Sequence, residues 1–87
     1  MAIIRIDYKN LSLYGRDNTN DRGTCNHTIN ENAYNLTEDL KGKIVIDIGA
    51  FIGDFAIFAA SKGAKVYAFE PDKENYELLL KNIELNK

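Results

Sequence analysis

The chain is poor in several things that particular protein classes require. Its 87 residues include one cysteine, one histidine and one proline. Cys25 has no partner for an internal disulfide, which excludes a stapled secreted mini-protein. With Asn26 and His27 it offers two metal-ligating side chains and no second pair, short of a zinc site, so no metal is expected. Pro71 alone, with six glycines, excludes collagen-like, linker and low-complexity classes. No stretch approaches the roughly 18 consecutive apolar residues of a membrane span. The N-terminus, MAIIRIDYKN, carries Arg5 and Asp7 inside its apolar run and does not read as a signal peptide. A cytoplasmic location without membrane contact is expected. Basic excess is also absent: 11 Lys+Arg against 13 Asp+Glu give a net charge of −2. A nucleic-acid partner held by electrostatics is therefore not expected. Eighty-seven residues allow one small domain or a piece of a larger one, and a chain of that size buries only roughly 60–65% of the surface it exposes unfolded.

What is present divides near residue 41. Residues 1–40 are polar, rich in Asn, Asp and Thr, with four basic and six acidic side chains; residues 41–87 balance seven against seven. The first part reads as a hairpin, a polar loop and a short helix. Ile3–Ile6 and Leu11–Tyr14 are β-prone runs, with a turn expected near Tyr8–Asn10 and an end to the second strand at Gly15. Residues 16–30 read as a long polar loop. In 31–40, Ala33, Leu36 and Leu40 fall near helical spacing, with Thr37 as a capping residue. From residue 43 the pattern sharpens. Ile44–Ile48 is a continuous β-rich run of the kind found in strands covered on both faces. Gly49–Gly53 is a glycine-bracketed turn, Asp54–Ser61 a nearly all-apolar helix, and Gly63 its stop. Val66–Phe69 is a second strand. Over Asp72–Leu85, Tyr76, Leu79, Leu80 and Ile83 mark an amphipathic helix face. The fold class expected is α/β, an incomplete Rossmann-like parallel βαβα unit with a right-handed crossover, preceded by the hairpin. The domain division expected is 1–40 as lead-in and 41–87 as the cofactor-binding half.

The chemistry concentrates in Asp47-Ile48-Gly49-Ala50-Phe51-Ile52-Gly53 and in Glu70 at the end of the next strand. Gly49 permits a sharp turn and close ligand approach. Gly53 lets the following helix start close to the strand, with its free N–H groups aimed at the ligand. Glu70, at the carboxyl end of the neighbouring strand, is placed to accept hydrogen bonds from ribose hydroxyls. A dinucleotide site uses G-x-G-x-x-G around a pyrophosphate. Here the spacing is G-x-x-x-G, and Asp47 and Asp54 would repel an anion. Carboxylates suit a cation instead, and S-adenosylmethionine carries both an ammonium and a sulfonium.

These residues carry a resemblance. The stretch from Val45 to Lys87 is similar to the first half of class I S-adenosylmethionine-dependent methyltransferases, and within them it resembles the FkbM-like family. The family's D-x-G-A-N-x-G matches Asp47, Gly49, Ala50 and Gly53; its E-P matches Glu70-Pro71; its N-x-x-L-L…N helix matches Asn75, Leu78, Leu79 and Asn82. Leu13–Arg16 and the Glu31-Asn32-x-Tyr34 segment resemble its lead-in. Phe51 departs from the pattern, standing where an Asn amide is usual. The resemblance implies S-adenosylmethionine as cofactor, with Asp47, Gly49, Ala50, Phe51, Gly53 and Glu70 binding it, and O-methyl transfer as the reaction. It identifies no catalytic base in these residues.

Length then bears on activity. The methyltransferase sheet implied by the resemblance has about seven strands, and the pattern here supplies two of them. The expectation is a truncated or partial methyltransferase, incomplete as a lone chain. An exposed sheet edge would be met by the N-terminal hairpin, by a missing second half, or by a second copy in a homo-oligomer. The alternatives are a non-catalytic, self-associating interaction module and an NAD-type dinucleotide-binding fragment.

Overall fold

A computed structural model describes residues 2–8 and 10–87. Strands β1 (Ile3–Asp7) and β2 (Ser12–Arg16) form an antiparallel hairpin in which Ile3 faces Arg16 and Asp7 faces Ser12. The strand runs through Gly15, which pairs with Ile4, so that glycine does not end it. The turn expected near Tyr8–Asn10 includes Lys9, which lies outside the described residues. Tyr8 N–H donates to the Leu11 carbonyl at 2.8 Å beside it.

The polar stretch after the hairpin is not a loop. After a turn it enters helix α1 (Asp21–Cys25), which continues as a π-helical stretch, Asn26–Asn30. Its inward face is Asp21, Cys25, Thr28 and Ile29, all buried. That is a helical spacing written largely in polar and small residues, so hydropathy does not reveal it. Residues 31–40, expected to be helical, are irregular instead. Asn32 and Asn35 take left-handed φ values of 48° and 54°, and Asn32 bridges forward to Leu36, accepting from its N–H at 3.0 Å and donating to its carbonyl at 3.1 Å. Thr37 caps no helix; its hydroxyl reaches the Asp39 carbonyl.

Strand β3 (Ile44–Ile48), helix α2 (Asp54–Ser61), strand β4 (Lys65–Phe69) and helix α3 (Lys73–Leu85) follow in the expected order, with β3 and β4 parallel and Asp47 opposite Ala68. Gly63, at φ +101°, closes α2 as expected. The Asp72 carboxylate caps α3 by accepting from Asn75 N–H at 3.0 Å. The two strand pairs remain separate two-stranded sheets, so the hairpin does not cover an edge of β3 or β4.

Two expectations about burial fail for one reason: the helices and hairpin gather on one side of the parallel pair. Val45, Asp47, Val66 and Ala68 alternate onto the covered side and are half-buried, whereas Ile44, Ile46 and Ile48 are 68%, 64% and 83% exposed and Tyr67 and Phe69 also face outward. Strand β3 is thus covered on one face only. Helix α3 turns Leu78, Leu79 and Asn82 inward, leaving Tyr76, Leu80 and Ile83 exposed. Its partner is β2, through a stripe of amides. Asn86 exchanges hydrogen bonds with the Ser12 backbone at 3.1 and 2.7 Å. Asn82 does the same with Tyr14 at 2.6 and 3.1 Å, and Asn75 accepts from the Arg16 guanidinium at 2.8 Å. Alternate residues of β2 meet successive turns of α3, so side-chain amides satisfy the strand's outer edge. The core joins Ile6, Leu11, Leu13, Cys25 and Ile29 from the lead-in to Ile52, Ile57 and Leu78.

Candidate functional site

The cleft lies at the carboxyl ends of β3 and β4, the position at which open parallel sheets receive ligands. Gly49 and Ala50 N–H groups both donate to the Phe69 carbonyl, at 2.8 and 2.9 Å, which ties the loop after β3 to the end of β4. Gly53 N–H then closes a turn onto the Ala50 carbonyl at 3.0 Å, and α2 begins. The open space beside this loop has a volume of ≈ 560 Å³ and is lined by Asp47, Gly49, Ala50, Phe51, Asp54 and Phe55, with Ile48, Thr24 and Tyr34 completing it. That size suits a small-molecule ligand.

Four of the six expected site residues, Asp47, Gly49, Ala50 and Phe51, line the cleft. Gly53 does not. It sits beneath the loop at φ +100°, and a Cβ there would come within 2.8 Å of Leu79 Cδ1. Gly49, at φ +80°, has nothing within 4 Å of a built Cβ, so its bare backbone opens directly onto the cleft. Glu70 is engaged from within: Oε1 accepts from Phe51 N–H at 2.6 Å and Oε2 from Asp72 N–H at 2.9 Å. It holds the loop at the cleft's edge. Phe51 takes φ +58°, a left-handed conformation. Asn or Gly tolerates that conformation far better than an aromatic residue does, which gives a backbone reason for the amide usual there. Its half-buried ring packs on the core and lies 5.7 Å from the Arg16 guanidinium.

The cleft is acidic. Asp47 Oδ2 is buried with no hydrogen-bond partner. Burial, and then the neighbouring charges of Asp54 and Glu70, push the Asp47 carboxyl above the ordinary carboxylate value. Asp54, buried at the start of α2, accepts a 2.6 Å hydrogen bond from the Thr28 hydroxyl. Burial raises its pKa more than that bond and the nearby N–H groups of Asp54 and Phe55 lower it. Free N–H groups at the helix start, expected to face a ligand, thus meet the helix's own carboxylate. A pyrophosphate would find acceptors where it needs donors, which argues against a dinucleotide. Among the described residues, no lysine or arginine lines the cleft. An orphaned, buried carboxylate oxygen beside an open glycine backbone fits a ligand with an ammonium group.

Outside the cleft, Asp21 is buried but paired. Burial alone would raise its pKa; bidentate bonding by Arg16, at 2.8 and 3.2 Å, together with Arg16 N–H at 2.8 Å, brings it below the ordinary value. Burial pushes the Cys25 thiol up to about 12, making it an inert core group. Among the described residues, no group of His, Cys, Asp or Glu could hold a metal ion, and no helix is long and apolar enough to cross a membrane. Sequence reasoning missed Tyr34, Phe55 and Thr24 as cleft residues. Their signal was absent from the loop motif because two of them come from the lead-in and the third from an α2 position read as core.

Comparison with known proteins gives the family. Residues 2–87 match the family described as the TRM5/TYW2 methyltransferase domain. A tRNA (guanine(37)-N(1))-methyltransferase from Ciona intestinalis is 48% identical over 44 residues, 51% of this chain and 10% of the relative. The match thus spans about a tenth of that relative's length. No solved structure matches. The matching family is not the FkbM-like one that the loop motif resembles. The two expectations share the S-adenosylmethionine-dependent methyltransferase class, to which the D-x-G-A…G loop and the acidic end of the next strand are common.

Proposed function

The chain belongs to the TRM5/TYW2 methyltransferase domain family, and we propose that it forms the S-adenosylmethionine cleft of an enzyme that methylates a guanine nitrogen in tRNA. Methyltransferases of this family use S-adenosylmethionine as methyl donor. The nitrogen acceptor and the tRNA are inferred from the relative's name and its 48% identity. They take the place of the hydroxyl oxygen, and of the absence of a nucleic-acid partner, expected from sequence. When bound, S-adenosylmethionine supplies an electrophilic methyl on a positively charged sulfur. The chain's own part is placement. Asp47 would accept from the cofactor's ammonium, the loop from Gly49 to Phe51 would let the ligand approach backbone, and Glu70, which fixes Phe51 N–H, would offer its remaining lone pairs to the ribose.

The observation that carries this reading is Asp47 Oδ2, buried at the end of β3 without a partner. Its test is calorimetric titration with S-adenosylhomocysteine, which keeps the ammonium and the ribose. The wild type should bind. Asp47→Asn should weaken binding by about 10- to 100-fold, because the amide removes the negative charge that pairs with the ammonium and can turn an NH2 group toward it. Absence of binding by the wild type at millimolar ligand would remove cofactor use by this chain. Equal affinities for wild type and Glu70→Ala would remove the ribose role alone.

The bare face of β3 and β4 favours one further reading, pairing of two copies through it. Parallel sheets are as a rule covered on both sides. This face presents Ile44, Ile46, Ile48, Tyr67 and Phe69. Because residues 41–87 carry balanced charge, two copies would not repel strongly there. Light scattering should give a mass near twice the 9.8 kDa of the chain, and Ile46→Lys should return it to one copy. A wild-type monomer at high micromolar concentration would refute the pairing.

A further inference from the structure

Tyr34 is an aromatic side chain held in place yet largely uncovered. It lies in an irregular segment, but that segment is braced: Ala33 N–H donates to the His27 carbonyl at 3.2 Å, Asn35 N–H to the Asn32 carbonyl at 2.9 Å, and the Asn32 amide bridges to Leu36. Two left-handed asparagines, Asn32 and Asn35, flank it. The turn delivers the Tyr34 ring against Phe55 in the first turn of α2, with centroids 5.2 Å apart and planes at 78°. An edge-to-face pair leaves ring faces uncovered, and those faces carry the negative end of the quadrupole. Both rings line the cleft, as do Asp47 and Asp54. Tyr34 nevertheless keeps 63% of its surface exposed. A braced, exposed aromatic wall on an acidic cleft that has no basic side chain among the described residues is an arrangement for a cation.

We propose that Tyr34, backed by Phe55, recognises the positive charge on the donor's sulfur, so that the cleft distinguishes the sulfonium of S-adenosylmethionine from the neutral thioether of its product. This rests on the cleft being the cofactor site, as inferred above. Asp47 meets the ammonium, which donor and product share, and so cannot discriminate between them. The aromatic wall would contact the one group that loses its charge on methyl transfer. Tyr34 is therefore a positioning and specificity residue. It holds the donor in preference to the spent cofactor and favours exchange of one for the other.

The test is the ratio of two affinities. S-adenosylmethionine and S-adenosylhomocysteine are titrated calorimetrically into wild type, Tyr34→Phe and Tyr34→Leu, with an analogue bearing a charged amine in place of the sulfonium as a third ligand. The wild type should prefer both cationic ligands over the thioether by about two- to fivefold, the range of an exposed cation–π contact. Tyr34→Phe should keep that preference. Tyr34→Leu should abolish it by weakening the two cationic ligands more than the thioether, a change of ratio that a merely structural tyrosine would not produce. An unchanged ratio in Tyr34→Leu, or its loss already in Tyr34→Phe, overturns the proposal while the cofactor cleft stands. Failure of all three ligands to bind the wild type overturns both.

Discussion

Asn82→Leu should cost the chain most of its stability. Asn82 is fully buried in α3. Its Oδ1 accepts from Tyr14 N–H at 2.6 Å, and its Nδ2 donates to the Tyr14 carbonyl at 3.1 Å and to the Ile52 carbonyl at 2.7 Å. One side chain thus ties the hairpin, the cofactor loop and the last helix together. Leucine is nearly isosteric and more apolar, so a purely hydrophobic account would expect gain. The opposite is expected because three backbone groups lose their partners in a place water reaches poorly. Each unsatisfied group costs about 1–3 kcal/mol, so the sum for three is on the order of 3–9 kcal/mol. A domain of this length has only about 4–13 kcal/mol in total, at 0.05–0.15 kcal/mol per residue. Circular dichroism should show a melting temperature lower by about 15 °C or more. Asn82→Asp should be no better, since a carboxylate keeps the acceptor for Tyr14 N–H but turns its other oxygen onto two carbonyls. A variant melting within a few degrees of wild type would show that Asn82 is not the tie described.

That residue also marks where sequence and structure part. The βαβα order, the glycine loop and the hairpin follow from strong local signals: β-branched runs, Gly49 and Gly53, and the stop at Gly63. Four of six candidate site residues reach the cleft because they stand at the end of β3 and on the short loop after it, where the chemistry is local. Apolar spacing points to Tyr76, Leu79, Leu80 and Ile83 as the inward face of α3; of these four Leu79 alone is buried, because the helix turns an asparagine stripe toward β2. Hydropathy scores asparagine as a surface residue and has no means of seeing an amide that pairs with a strand edge. Helix α1 was hidden for the same reason, its buried face being Asp21, Cys25, Thr28 and Ile29. The bare side of β3 was equally out of reach. A continuous run of Ile and Val records an apolar strand, not whether anything lies upon each of its faces. Tyr34 was invisible as a site residue because its arrival at the cleft depends on the π-helical stretch and two left-handed asparagines upstream and downstream of it.

The two glycines of the cofactor loop should separate on substitution, one failing in fold and the other in binding. Gly53 has φ +100°, and an alanine Cβ there would lie 2.8 Å from Leu79 Cδ1 and 3.6 Å from Ile57 Cγ1. Leu79 is 1% exposed and Ile57 is buried, so Leu79 has nowhere to withdraw. Left-handed strain of about 1–2 kcal/mol joins an overpacking cost of about 1–3 kcal/mol. Gly53→Ala should therefore lose about 2–5 kcal/mol and melt far below wild type. Gly49 has φ +80° and open space around the same built atom, so Gly49→Ala bears only the backbone strain of about 1–2 kcal/mol. Its methyl group would project into the cleft. Gly49→Ala should therefore remain folded at 20 °C but bind S-adenosylhomocysteine at least about tenfold more weakly, because the ligand can no longer close on the backbone. Thermal melts and calorimetry on the same samples check both halves. Wild-type affinity in folded Gly49→Ala would place the ligand away from this loop. A wild-type melt for Gly53→Ala would mean that Leu79 yields, and that the spacing between loop and α3 is set by Asn82 rather than by the missing side chain at Gly53.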